Sequence, residues 1–80
     1  MSRSIHSKEH RALVEQLIAA RKSVGLTQHE LAARLDRPQS YVAKYEGGER
    51  RVDVVEFVQI ARALNTDPAE LFASFIEASR

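Results

Sequence analysis

Two sets of side chains in this sequence have the types and spacing to do chemistry. The first is Gln39, Ser40 and Lys44, in the stretch RPQSYVAKYEGGERR that runs from 37 to 51. An amide, a hydroxyl and an ammonium group supply hydrogen-bond donors and acceptors but no nucleophile with a matching base. The second is His6, Glu9 and His10, spaced as H-x-x-E-H. On a helix that spacing brings both imidazoles to one side, where they could share a metal, and it matches the string of the inverted zinc proteases. The bland reading of the pair is a frayed terminus, and 80 residues leave little room for a substrate cleft or a third ligand. We therefore expect no metal site, no cofactor and no enzyme. No Ser/His/Asp set stands out, Gly47-Gly48 lacks a P-loop context, and His29 reads as a surface residue.

These groups need elements to hold them, and the chain reads as all helix. Residues 1–6 read as a flexible segment and 7–80 as a single domain. A chain of this size buries only about 60% of its unfolded surface, enough for one small core. The first helix spans about Ser7 to Ser23, with Leu13, Leu17, Ala20 and Val24 on one face. Gly25 ends it. Thr27 and Glu30 form a capping box that opens the second helix, and Leu31, Ala32 and Leu35 face inward. Pro38 disfavours helix at Arg37, so this helix stops near Asp36. The third helix starts at Pro38 and halts at Gly47-Gly48, about two and a half turns later. Asp53 with Glu56 caps the fourth, and Val52 with Phe57 makes a hydrophobic staple. Asp67 and Pro68 start the fifth.

At 100° per residue, Tyr41, Val42 and Tyr45 share one side of the third helix as a narrow apolar anchor. Gln39, Ser40, Ala43 and Lys44 form a polar strip on the other. Such a strip suits the DNA major groove, where glutamine pairs with adenine, lysine donates to guanine and serine adapts. The bland reading is a solvated helix face.

Charge supports the first reading. Residues 1–51 carry ten Lys/Arg against six Asp/Glu, net +4; residues 52–80 carry two against five, net −3. A basic front and an acidic back suggest a polyanion on one side only. There is no cysteine, and no apolar run approaches the length of a membrane span. The N-terminus has no apolar segment of signal-peptide type. We expect a cytoplasmic protein with no membrane partner.

The stretch LTQHELAARLDRPQSYVAKYEGGERR, followed by IARALNTDPAELF, resembles the helix-turn-helix of the phage-repressor-type (Cro-like, Xre) transcriptional regulators. The match rests on Leu26-Thr27-Gln28, Glu30-Leu31-Ala32, Gln39-Ser40, Val42 and Glu46-Gly47-Gly48, and covers roughly residues 9 to 72. It implies a compact five-helix bundle whose second and third helices form the DNA-binding unit. It implies base reading by Gln39, Ser40 and Lys44, with Tyr41 at the margin on a phosphate or a thymine methyl. Gln28, Arg50 and Arg51 would hold phosphates. Arg21 and Glu46 match positions that form a largely buried salt bridge in the family. One departure is Asp36, which stands where glycine is usual and a positive φ is common; Pro38 is also less common there than a Ser or Thr cap.

Leu71 and Phe72 read equally as core. Phe75 and Ile76, near the C-terminus, read as a dimer interface, since one short recognition helix reads too few base pairs alone. The resulting expectation is a homodimeric repressor or controller protein on a pseudo-palindromic double-stranded operator, blocking or recruiting RNA polymerase. The alternative is a protein-interaction module, antitoxin-like or a co-regulator, that uses the apolar C-terminal helix.

Overall fold

The computed structural model describes residues 7–80, so the expected flexible segment 1–6 and His6 lie outside the described residues. Five helices follow one another: α1 (Lys8–Ser23), α2 (Gln28–Arg34), α3 (Gln39–Glu46), α4 (Val54–Ala63) and α5 (Pro68–Ala78). Among the described residues there is no strand, and no helix is long and apolar enough to cross a membrane.

The starts follow the local chemistry of the sequence. Ser7 caps α1 by accepting from the His10 amide. Both capping boxes are formed, Thr27 with Glu30 and Asp53 with Glu56, each satisfying two amides that a helix start leaves without partners. α5 is capped by Asp67 on the Ala69 amide, with Pro68 at its first position. Only α3 lacks a side-chain cap, because Pro38 occupies the capping position.

The ends share a single device. After α1, α2, α3 and α4 the chain turns through a residue of positive φ, respectively Gly25, Asp36, Gly48 and Asn65. In each case the next amide reaches back five residues, as from Arg37 to the Ala32 carbonyl at 3.0 Å and from Thr66 to that of Ala61 at 2.9 Å. This pairing satisfies carbonyls that the helix end leaves open. Asp36 therefore does the work of the missing glycine at φ 57°, a conformation that aspartate tolerates better than most residues.

α2 and α3 are too short to be stable alone. They are held by burial of Leu31, Val42 and Tyr45 together with Leu17 of α1, Ile60 of α4 and Leu64 just after α4, all fully buried. Ala32 is small where α2 and α3 pack, which lets the two backbones approach. α5 closes the bundle by packing on α1 and α4. Of its apolar residues only Leu71 is buried; Phe72 is half exposed, so the even reading of that pair as core divides between its two members.

Candidate nucleic-acid interface

α3 presents Gln39, Ser40 and Lys44 to solvent, while Tyr41, Val42 and Tyr45 face the core. The polar strip thus lies on an outward face, anchored from behind.

Tyr41, expected at the margin of the strip, packs against neighbours on both sides of its ring. It is only 7% exposed and its ring meets that of Tyr45 edge-on at 5.6 Å. Two guanidinium groups lie over it, from Arg37 at 4.5 Å and Arg50 at 4.8 Å. Burial, the largest influence, raises the Tyr41 phenol above its ordinary value.

Arg50, expected on a phosphate, has partners within the domain. It donates two hydrogen bonds to the Glu56 carboxylate, at 3.0 and 2.7 Å, and one to the Arg51 carbonyl at 2.8 Å. Three of its five donors and its charge are thus matched within the domain. The residue clasps the loop after α3 to the start of α4. Arg51, by contrast, is exposed, and its side chain has no ion pair among the described residues. Arg37 was not singled out in the sequence; only its position just before the start of the third helix pointed to it.

Glu56 does two jobs. It caps the Asp53 amide at 3.0 Å and holds Arg50. The Arg50 guanidinium, with the Asp53 amide, draws its carboxyl down from 4.5 to about 2. A carboxylate depressed in the folded state stabilises the fold above its unfolded value, and that stability is lost as pH falls through the folded value. Unfolding midpoints in urea should therefore decline as pH drops from about 4.5 towards about 2. In Glu56→Gln that portion of the decline should be missing; an unchanged pH profile would remove Glu56 as its source.

Behind the strip lies a buried ion pair. Arg21 at the end of α1 donates from Nε to Glu46 Oε2 at 2.8 Å and from Nη2 to Oε1 at 3.0 Å. Its Nη1 holds the Leu26 carbonyl at 2.8 Å. The two side chains are 10% and 4% exposed. The hydrogen bond to Glu46, first among the influences, keeps the Arg21 guanidinium above its ordinary value.

Gln28 is drawn into the same network, donating from Nε2 to Glu46 Oε1 at 2.9 Å. Its own Oε1 accepts from Gln39 Nε2 at 3.0 Å. So Gln28, expected on a phosphate, also links the ion pair to the first residue of the polar strip. Its second Nε2 hydrogen remains available.

Of the H-x-x-E-H string, His6 lies outside the described residues and Glu9 is exposed. His10 is buried on α1, and among the described residues no group of three His, Cys, Asp or Glu is placed to hold a metal. His29 is exposed on α2.

Five helices, with α2 and α3 joined by a tight turn and a polar strip facing out from α3, define a helix-turn-helix protein. A helix-turn-helix family model matches residues 17–71. The chain belongs to that family, of the XRE type, and is a DNA-binding transcription regulator. Among solved structures, an XRE-family-like protein from Pseudomonas syringae pv. tomato is 47% identical. The match covers 92% of this chain and 90% of that one, with a TM-score of 0.85. The restriction–modification controller protein C.AhdI from Aeromonas hydrophila is 34% identical over 80% of this chain and 93% of its own, with a TM-score of 0.72. A point mutant of the restriction–modification controller protein C.Esp1396I shares the fold at a TM-score of 0.84, with 19% identity over 90% and 96% of the two chains. Curated protein sequences yield no match.

Proposed function

We propose that the chain is a cytoplasmic repressor or controller protein that binds a pseudo-palindromic operator as a homodimer, reading bases through the major groove with Gln39, Ser40 and Lys44. The observation that carries this reading is the exposed polar strip on a helix whose other face is locked into the core. Small and medium side chains there let the backbone approach the base edges. Gln28, Arg51 and Arg37 flank the strip and would hold phosphates, Gln28 with the help of its position at a helix N-terminus. Arg50 and Tyr41 support the site from within. The reading assigns no catalytic step to the chain.

Dimerisation is supported by an apolar face. Val54 is 79% exposed, Val55 66%, Phe72 50% and Ile76 42%. Phe75, expected beside Ile76 in the seam, is half-buried and lines a shallow hollow of about 300 Å³ with Leu13, Val52 and Phe57. Val54, Phe72 and Phe75 meet around this hollow, and exposed apolar surface gathered in this way marks an interaction site. The proposed seam therefore extends from the end of α5 to Phe72 and the start of α4. Two copies joined there would set their recognition helices on half-sites about one DNA turn, ~34 Å, apart. The same face supports a second reading, a module that docks a different protein, with DNA contacts secondary. On an operator the dimer would block or recruit RNA polymerase.

Selection of bound duplexes from a random library tests the main reading. A short inverted repeat is the expected product; no enrichment over the input would defeat base reading by α3. On the selected site Lys44→Ala should cost about 1–3 kcal/mol and relax the preference at one base pair. Equal losses on selected and random DNA would remove Lys44 from the bases. Arg51→Ala should weaken all sequences alike and lower the salt slope by about one unit. An unchanged slope would take Arg51 off the phosphates.

A further inference from the structure

Three arginines converge on one hollow at the far ends of α2 and α4. Arg34, Arg37 and Arg62 line it with Leu35, Gln59 and Ala63, around about 400 Å³. All three are exposed, and none forms an ion pair among the described residues, whereas Arg21, Arg50 and Arg80 each hold a carboxylate. Two of the three are set in place by contacts that leave their charge unmatched. Arg34 donates from Nη1 to the Ala63 carbonyl at 2.9 Å, and Arg37 lies over the Tyr41 ring at 4.5 Å. Glu30 stands four residues before Arg34, but its carboxylate accepts from the Thr27 amide at 2.9 Å. Arg34 and Arg62 lie in the last turns of α2 and α4, where a cation offsets the helix dipole. Arg37, in the connection to α3, answers to neither helix end, so the gathering of all three exceeds that need.

We propose that this hollow docks an acidic segment of another protein while the chain is on its operator, with Arg34 and Arg62 holding carboxylates and Arg37 at the border with the polar strip. A guanidinium fork matches a carboxylate with two parallel hydrogen bonds, and Arg34 keeps four of its five donors for that purpose. Gln59 adds a neutral donor and acceptor between them. The hollow is shallow and its four polar side chains are exposed, which suits a segment laid across it rather than an enclosed small ion. Its place on the fold keeps it open. Gln28, at the start of α2, lies about 9 Å back along that helix, and Val54, on the apolar face, about 12 Å back along α4. DNA held at the strip and a copy held at the apolar face would both leave Arg34 and Arg62 uncovered.

The probe is a glutamate hexamer, with a glutamine hexamer as its uncharged counterpart. Each is titrated into isotope-labelled protein at about 0.05 M salt, where surface charges are weakly screened, both alone and on the selected duplex. Backbone amide shifts should saturate at residues 34–37 and 59–63 with the glutamate hexamer alone, and equally on the duplex. Arg62→Gln and Arg34→Gln, checked for folding by thermal melting, should each weaken that binding about tenfold. Affinity for the duplex and its salt slope should not change. Should Arg34→Gln loosen the end of α4, Arg62→Gln decides alone. Shifts spread evenly over Lys8, Arg11 and Lys22 would reduce the binding to general attraction and overturn the site. Wild-type affinity for the hexamer in folded Arg62→Gln would overturn it too. Loss of hexamer binding on the duplex, or a lower salt slope for Arg62→Gln, would hand the hollow to DNA phosphates instead. If library selection yields no duplex, base reading fails, while the titration of the free protein still decides whether the hollow binds carboxylates.

Discussion

Glu46→Ala should destabilise the domain by about 3–5 kcal/mol, the usual consequence of leaving one member of a buried ion pair without its partner. The side chains of Arg21 and Glu46 are 10% and 4% exposed, so water cannot replace what is lost. Arg21 would keep only the Leu26 carbonyl, and Gln28 would lose its acceptor. Domains of this kind hold about 5–15 kcal/mol in total, so the variant would lie near the edge of folding. Urea titration measures the loss. A cost below about 1 kcal/mol would place the pair with exposed surface ion pairs, which contribute little. The companion double variant Arg21→Met/Glu46→Leu should recover much of the stability, because two apolar groups of similar volume leave no charge stranded. Recovery would separate the cost of breaking the pair from its net contribution.

The second large effect concerns association. Phe72 stands half exposed at the centre of the apolar face, edge-on to Phe57 at 5.9 Å and 6.0 Å from Phe75. Phe72→Asp should yield a folded monomer, since the residue contributes little to the core. Operator affinity should fall by about 100-fold or more, because joining two readers makes the second half-site contact intramolecular, and the variant forfeits that gain. Binding to an isolated half-site should change little. Sedimentation at micromolar concentration reads the first outcome, and titration of full and half operators reads the second. A wild-type protein that sediments as a monomer with and without DNA would sink the dimer and favour the reading in which this face holds another protein.

How far the sequence disclosed this molecule depended on the reach of each interaction. The capping boxes at Thr27 and Asp53 were legible because both partners lie within four residues. The role of Asp36 was legible because the turn requires a conformation that few residues accept. The outward strip on α3 followed from helical periodicity. The clasp that Arg50 makes was illegible for a physical reason: an arginine beyond a recognition helix looks free until its partner is known, and its partner, Glu56, already serves as a capping residue. One carboxylate with two duties leaves no second mark in the sequence. Tyr41 sits at an angle on the helix wheel that suits either core or margin, and the two arginines over its ring left no local mark in the sequence. Phe72 depends on the phase of α5 against α4, which local pattern does not set. The link between Gln28 and Gln39 spans a turn, so no spacing rule could have exposed it.

The four positive-φ helix ends bear on thermodynamics as well as shape. Each connection is held by backbone hydrogen bonds, and the recognition helix is clamped at its front by Gln28 and at its rear by Arg21. A reader built this rigidly orders little of itself on meeting DNA, and the surface it covers is a polar strip rather than an apolar one. Both features point to a small heat-capacity change on association, unlike that of readers that fold as they bind. Its affinity would then vary gently with temperature, and the sharp control of occupancy would fall to salt and to the concentration of the chain itself.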